Sequence, residues 1–209
     1  MHDAESRTAN LLGATALALS DLLLSGVGAA AGTSGSGAAA LVVLAGDPDL
    51  SVTELGRRVG LTQSAAARMV DGLERQGLVR RTSTRGRAVA VRPTEAGTAA
   101  ARRLLAARGD ALGAALRHLG RDERAQLDLL LGKLLTGLCR LPGDAERLCR
   151  LCDRDVCVRD RATCPVGQAD RDRRARSERG ARDEQGARGE RSARGKRGAR
   201  DERGDPDDG

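Results

Sequence analysis

The fold is decided by residues 51–79, which read SVTELGRRVGLTQSAAARMVDGLERQGLV. Ser51 and Glu54 have the spacing of a capping box, in which the Ser51 hydroxyl accepts from the third amide and the Glu54 carboxylate reaches back. Gly60 favours the left-handed conformation that closes a helix, and Thr62 caps the next one. The apolar stripe of this second helix consists of Ala66, Met69, Val70 and Leu73. The stretch therefore predicts a helix-turn-helix, because the stripe repeats with helical periodicity.

The segment that follows changes from helical to strand-like periodicity. Residues 78–81 and 87–91 read as strands, and residues 82–86 connect them into a hairpin with Arg85 and Arg87 at its tip. Pro93 ends the second strand, since proline cannot donate to a ladder. A helix-turn-helix followed by a basic β-hairpin is a winged helix, and we assign residues 35–93 to it.

Apolar helices flank the predicted winged helix on both sides. Residues 1–34 form an N-terminal helix, and residues 94–138 form two helices with leucines at intervals of three and four. We expect both regions to be dimerisation helices, because one winged helix is too small to cover their leucine-rich faces. A cysteine-rich loop occupies residues 139–165. Residues 166–209 contain almost no large apolar side chain, which predicts a disordered Arg/Gly/Asp/Glu tail. The predicted fold class is mainly α with a small β-hairpin.

Positive charge is concentrated in the predicted winged helix. The formal net charge of the chain is +7, and residues 51–93 hold nine arginines against three acids. Such a concentration is typical of a phosphate-binding surface. The chain has no Phe, Trp or Tyr, which excludes the aromatic stacking platforms used for single-stranded nucleic acid and RNA. The composition therefore favours double-stranded DNA as the partner.

The apolar N-terminal segment does not have the pattern of a membrane segment. A signal peptide begins with positive charge, whereas residues 1–7 contain Asp3 and Glu5 against a single arginine. A membrane-spanning helix would place Asp21 near the bilayer centre, at a cost of roughly 2.5–3.5 kcal/mol. We therefore expect no membrane partner and a cytoplasmic protein.

Residues 61–79 resemble the MarR family of bacterial transcription regulators. The matching positions are Arg68, Val70, Asp71, Leu73, Glu74, Gly77, Leu78 and Val79. Residues 92–97, RPTEAG, are similar to the Leu-Thr-x-x-Gly signature of the family, with Pro93 in place of the leucine. By order of elements the resemblance covers residues 8–138. It implies a homodimeric, sequence-specific DNA-binding regulator, which we expect to be a repressor and to have no catalytic residues; no small-molecule effector is indicated.

The predicted DNA contacts lie on the second helix, on the wing and on arginines beside them. The side chains pointing away from the apolar stripe would enter the major groove; they are Gln63, Ser64, Ala65, Ala67 and Arg68. Arg85 and Arg87 at the wing tip would reach the minor groove, where the potential is most negative. Phosphate contacts are predicted for Arg57, Arg58, Arg80 and Arg81. The tip lacks the aspartate usual in the family, and the two alanines replace polar residues, leaving fewer donors for base edges.

All five cysteines lie within residues 139–164. Four of them follow the pattern C-x2-C-x4-C-x6-C-P, at Cys149, Cys152, Cys157 and Cys164. Disulfides are disfavoured in a reducing cytosol, so four thiols in a segment of low apolar content indicate a metal that organises the loop. Cys139 is predicted to be a buried helix residue outside this site.

The spacing bears on the identity of the metal. Zinc with four thiolates typically uses two close cysteine pairs, whereas uneven spacings closing with Cys-Pro recur in iron–sulfur sites. We therefore favour an iron–sulfur cluster over zinc, with a metal-free thiol switch as the third interpretation. The spacing also resembles the cluster loop of redox-sensing MerR-family regulators, although the middle gaps differ. Because the loop follows the last predicted dimer helix, we expect DNA binding to respond to metal or redox state.

Two other functions stay open from the sequence. The first is an iron–sulfur or zinc enzyme or electron carrier built on the four-cysteine loop. No general base, nucleophile pair or phosphate-binding glycine loop supports it, so no catalytic residue is assigned. The second is an RNA-binding protein acting through the arginine- and glycine-rich tail.

Overall fold

The computed structural model of the protein describes residues 2–82, 89–180 and 182. The described helices are α1 (His2–Ala31), α2 (Gly35–Gly46), α3 (Val52–Val59), α4 (Gln63–Arg75), α5 (Glu95–Leu116), α6 (Arg121–Leu138), α7 (Asp144–Leu148), α8 (Arg154–Cys157) and α9 (165–180). The strands are β1 (Leu50–Ser51), β2 (Val79–Thr82) and β3 (Ala90–Pro93), and a 3-10 turn spans Arg159–Arg161.

Helices α3 and α4 form the helix-turn-helix that the sequence predicts. The Ser51 hydroxyl accepts a hydrogen bond from the Glu54 amide at 3.1 Å. Gly60 ends α3 in the left-handed region with φ of 78°, where a residue without a Cβ is favoured. The Thr62 hydroxyl caps α4 by accepting from the Ala65 amide at 3.4 Å. The turn between the helices is therefore fixed by local polar contacts that the sequence specifies.

The strands form one antiparallel sheet in the order β1-β3-β2. Val91 of the central strand lies opposite Leu50 of β1 and opposite Arg81 of β2. Pro93 is the last residue of β3, as predicted. The strand begins at Ala90, and the predicted wing tip over residues 83–88 lies outside the described residues.

The main hydrophobic core surrounds α2. Leu41 and Leu44 of this helix are fully buried, and they share one cluster with Leu55 of α3, Val70 of α4 and Leu104 of α5. Each buried aliphatic side chain contributes about 1.5–3 kcal/mol of transfer free energy. The winged helix and the first turns of α5 are therefore one packed unit.

The start of α5 lies directly against the beginning of β2. The Thr94 hydroxyl donates to the Gly77 carbonyl at 2.7 Å, and the Thr94 amide donates to the Leu78 carbonyl at 3.0 Å. Gly97 lies so close to Leu78 that a Cβ added there would overlap with the Leu78 carbonyl oxygen. The RPTEAG stretch thus fixes α5 to the wing through a backbone contact that only glycine permits.

The C-terminal part of the structure corrects one prediction. Residues 166–209 were expected to be disordered, but residues 165–180 are helical in α9. Val166 and Ala169 of this helix are buried in a second, smaller core with Cys139. One large apolar side chain and an alanine on the same helical face suffice here, because the end of α6 and α7 supply the other half of the core. Residues 183–209 lie outside the described residues.

Helix α1 packs along α5, beside the winged helix. Across residues 2–82, 89–180 and 182, no helix combines the length and apolar character needed to cross a bilayer.

Candidate nucleic-acid interface and cysteine loop

Helix α4 presents the predicted recognition face to solvent. Gln63, Ser64 and Arg68 are exposed, while Ala65 and Ala67 are half-buried. The opposite face of the helix is buried in the core through Ala66, Val70 and Leu73. The sequence pattern thus sorted the two faces of α4 correctly, and base contacts by the exposed face stay a prediction.

Close packing fixes α4 against α3. A Cβ added to Gly56 of α3 would lie 2.6 Å from the Cβ of Ala66 on α4. The two helix backbones can approach this closely because both positions carry small residues. The orientation of the exposed α4 face is therefore set by its contact with α3.

Arg81 connects the wing to α4. Its guanidinium donates to Asp71 at 2.6 Å and also pairs with Glu74, and its backbone amide donates to the Glu74 carboxylate at 3.1 Å. The hydrogen bond that Arg81 donates to Asp71 is the main reason that the pKa of Arg81 lies above its usual value. Arg81 therefore orients strand and helix relative to each other, and its predicted phosphate contact stays a prediction.

Arg57 and Arg58 are also engaged with acids. Both guanidinium groups bind the Glu54 carboxylate at 2.8 Å, and Arg58 further binds Asp47 at 2.6 Å. The hydrogen bond from Arg57 is the main reason that the pKa of Glu54 falls to about 2. The Glu54 side chain binds these arginines rather than the Ser51 amide, so the side-chain half of the predicted capping box is not formed. The sequence signal for these pairs was the spacing of three and four residues from Glu54.

Two predicted phosphate-binding or base-contacting arginines are exposed without such pairing. Within the described part of the chain, Arg68 and Arg80 make no ion pair or side-chain hydrogen bond. Arg80 shares a pocket of about 680 Å³ with Arg102 of α5. Arg85 and Arg87 belong to residues 83–88, outside the described residues. Among the predicted cationic contacts that the structure describes, Arg68 and Arg80 are thus the ones whose guanidinium groups no acid engages.

Two helices leave leucines uncovered in the single chain. None of the 18 residues of α6 is buried, and Leu129 is 67% exposed. On α1, Leu17 is 70% exposed. The other exposed leucines of these helices are Leu11, Leu12, Leu22, Leu130, Leu131, Leu134 and Leu138. These two faces are the leucine-rich surfaces that the sequence assigned to dimerisation.

The structure brings Cys149, Cys152, Cys157 and Cys164 together. All four line a pocket of about 420 Å³ and a second of about 330 Å³. Across the described residues, no group of three or more His, Cys, Asp or Glu side chains is placed to hold a metal ion. The structure therefore brings the four cysteines to shared pockets without arranging their thiols as a coordination group.

The environment shifts the acidity of these thiols in different directions. The hydrogen bond from Cys152 lowers the pKa of Cys149 and at the same time raises the pKa of Cys152. Burial is the main reason that the pKa of Cys157 rises to about 11. Cys139 is fully buried in the second core, as predicted, and burial raises its pKa. Cys149 is thus the thiol of this segment whose thiolate the surroundings favour.

The cysteine segment contacts the helix-turn-helix, a contact that the sequence did not reveal. Arg57 of α3 donates to Glu146 of α7 at 3.3 Å. Leu151, between two of the cysteines, packs against the main core. The spacing of residues in the sequence does not predict such a long-range contact.

These elements, with an exposed second helix beside a β-wing, define a winged helix-turn-helix protein. Residues 31–88 match the MarR family model, so the chain contains a MarR family domain. No curated protein matches the chain in sequence. Because the family model ends at residue 88, it does not cover the cysteine segment.

Solved structures agree with this assignment. The chain is similar to YusO from Bacillus subtilis, with 25% identity, a TM-score of 0.57, and coverage of 64% of this chain and 96% of that one. A MarR family protein from Bacillus stearothermophilus matches with 24% identity, a TM-score of 0.61, and coverage of 67% and 99%. MepR, a transcription regulator of the Staphylococcus aureus multidrug efflux pump MepA, matches at 15% identity and a TM-score of 0.56, over 62% and 97%. The predicted fold class is confirmed, and the predicted resemblance to the MarR family is confirmed for residues 31–88.

Proposed function

We propose that the protein is a homodimeric, sequence-specific DNA-binding transcription regulator that acts in the cytoplasm as a repressor. The observation that carries the proposal is the exposed face of α4, with Gln63, Ser64 and Arg68 held outward by a buried opposite face. A major groove of B-DNA admits one α-helix, and arginine or glutamine side chains read base edges there. The match of residues 31–88 to the MarR family model supports the proposal.

The charge of the winged helix supports contact with the DNA backbone. The basic block of residues 51–93 contains the exposed, unpaired Arg68 and Arg80. Acidic side chains engage Arg57, Arg58 and Arg81. These arginines therefore add to the positive potential of the winged helix and fix its packing, and they would contact phosphate only while paired with those acids. Neutralised phosphates release counterions, so affinity should fall steeply with salt.

The uncovered leucines support the dimer. A contiguous apolar face larger than a few hundred Å² is uncommon on a monomer and marks an interface. Helix α1 packs along α5, and α6 follows α5 in the chain. A second copy of the chain could cover both leucine-rich faces in one twofold interface. Two α4 helices would then read half-sites about one helical turn, or ~34 Å, apart. A dimer bound to a promoter would repress transcription by sterically excluding RNA polymerase.

The test begins with selection of duplexes from a random double-stranded library and measurement of their affinity by fluorescence anisotropy. Arg68→Ala should weaken binding of the protein to the selected duplex by about 1–3 kcal/mol and make the protein less selective for that sequence. Arg117→Ala removes the same charge at the far end of α5, roughly 30 Å along a helix of 22 residues, and should leave affinity nearly unchanged.

The dimer is tested on the same protein by sedimentation equilibrium. Leu130→Asp places a charge on the exposed α6 face and should shift the protein to monomer with loss of tight binding. A monomeric wild-type chain, or equal effects of the Arg68 and Arg117 substitutions, contradicts the proposal.

A further inference from the structure

The four cysteines Cys149, Cys152, Cys157 and Cys164 line both pockets of the C-terminal segment. They come from four separate local elements: the end of α7, the loop after it, the end of α8, and the residue before α9. Cysteines from four short elements thus border the same space. They are not yet placed as a coordination group, so a bound metal would have to draw the four thiols together.

Several positively charged side chains lie around the thiols. Arg58, Arg150 and Arg154 line the first pocket with the cysteines, and Arg108 of α5 lines the second. The Gly167 amide at the start of α9 donates to the Cys164 sulfur at 3.4 Å. A helix N-terminus and nearby arginines both stabilise thiolates. Asp47 and Glu146 also line the first pocket, so its net charge is positive only because three guanidinium groups outnumber two carboxylates.

The segment has little else to hold its conformation. Between residues 139 and 165 only Cys139 is buried. Asp160 and Arg161 both adopt positive φ, of 55° and 64°, where side chains are strained. A chain with this composition is ordered in many small domains by a metal that its thiolates bind.

We propose that these four cysteines form a tetrathiolate metal centre, and that this centre stabilises the position of α7 against the helix-turn-helix. We call this stabilising contact the brace. When the metal binds, each thiol releases a proton to water and its sulfur becomes a metal ligand. The metal is either a single Zn²⁺ ion or the iron of an iron–sulfur cluster. Zn²⁺ takes four thiolates in tetrahedral geometry, and iron–sulfur clusters are held by the same donors. Both occupants share one requirement, four convergent thiolates.

The brace reaches the DNA-reading unit through α7. Arg57 of α3 binds Glu146, and a Cβ added at Gly143 would lie 2.6 Å from the Arg57 Nη1 atom. The Arg147 side chain covers the turn between α3 and α4, since a Cβ at Gly60 would meet its Cδ at 3.6 Å. The centre therefore sits between the helix-turn-helix and Leu23, Arg108 and Leu135 of the flanking helices. This second part of the proposal rests on the DNA-binding function proposed above.

The metal centre is tested on the full chain purified without oxygen. Metal analysis, sulfide determination and the visible spectrum identify the occupant: about one zinc per chain and no colour for the single ion, or iron with acid-labile sulfide and a brown colour for the cluster. Titration of metal-free protein with Co²⁺ gives an independent readout, because thiolate ligands produce intense charge-transfer absorption.

Substitutions separate the site from the rest of the segment. Cys157→Ser, at an exposed position, and Cys152→Ser should both lose the metal and the Co²⁺ charge-transfer band. Cys139→Ala removes a thiol that is buried in the second core and should retain the wild-type metal content. Helix content by circular dichroism shows that each variant is folded. Wild-type protein that takes up neither Zn²⁺ nor iron with sulfide overturns the centre, as does equal metal loss in the Cys139 variant.

The brace is tested by comparing metal-loaded and metal-free protein on the selected duplex. We expect a change in affinity of roughly 5- to 150-fold, the usual range for coupling between two sites, and no change when Cys157→Ser protein is treated in the same way. If the protein binds stoichiometric metal but its affinity for the duplex does not change, the brace is contradicted and the metal centre still holds. Metal content is measured without DNA, so it decides the centre even if no duplex binds.

Discussion

The winged helix, residues 35–93, and the cysteine segment, residues 139–165, achieve order in different ways. The winged helix is built on a core of fully buried aliphatic side chains such as Leu41, Leu55 and Val70. The cysteine segment contains helices of only five and four residues and one buried residue, Cys139. Short isolated helices are marginal in water. The first region thus depends on hydrophobic burial, whereas the second depends on polar contacts and, under our proposal, on a metal bound by its thiols.

The largest expected effect of a single substitution lies at Gly97. Gly97→Ala forces a methyl group into the Leu78 carbonyl, and overpacking of this kind costs about 3 kcal/mol, at the upper end of the usual range. Urea unfolding followed by circular dichroism measures the loss at a fixed protein concentration, because dimer stability depends on concentration.

Gly109→Ala is the matched control on the same helix. Gly109 has no neighbouring atom within 4 Å of an added Cβ, so alanine should stabilise α5 by about 0.5–1 kcal/mol through helix propensity. Equal unfolding midpoints for the two variants would show that the wing and α5 are not fixed by this contact.

The same difference between the regions explains how far the sequence could be interpreted. Caps at Ser51 and Thr62, the left-handed Gly60 and the apolar stripe of α4 act within a few residues, so local pattern specified the helix-turn-helix. The buried and exposed sides of α4 followed from which side of the helix was apolar. These are features in which local propensity and tertiary packing agree.

What the sequence could not provide were contacts between distant residues. The pairing of Arg81 with Asp71 and the docking of α7 on α3 join residues that no periodicity relates. The helix over residues 165–180 escaped prediction because Val166 and Ala169 are its only buried apolar residues, while composition rules weigh the whole tail. The four cysteines were recognised from spacing, but their position behind the helix-turn-helix needed the structure.

A smaller effect is expected at the connection between the wing and α4. Arg81→Ala removes the ion pairs with Asp71 and Glu74, and partly exposed pairs of this type contribute up to about 1 kcal/mol. Arg80→Ala, one residue earlier on the same strand, removes an exposed arginine without such partners and should leave stability nearly unchanged. Thermal unfolding and amide hydrogen exchange of residues 79–82 measure both variants. Faster exchange in the Arg80 variant than in the Arg81 variant would contradict the positioning role of Arg81.

The smallest expected effect tests the link between the two regions directly. Arg57 and Glu146 form the ion pair that joins α3 to the cysteine segment, at 3.3 Å and with side chains that are 45% and 25% exposed. A double-mutant cycle with Arg57→Ala and Glu146→Gln should give a coupling of only about 0.3 kcal/mol, because exposed pairs are weak and screened by salt. The cycle removes the contribution of Arg174, which also pairs with Glu146 at 3.7 Å, since that pair is lost equally in both backgrounds. If the thiols order the segment, the coupling disappears in a Cys157→Ser background, because α7 then no longer holds Glu146 against α3. A coupling of the same size in both backgrounds would mean that α7 docks on α3 without help from the cysteines, and that the two regions are ordered by the same means after all.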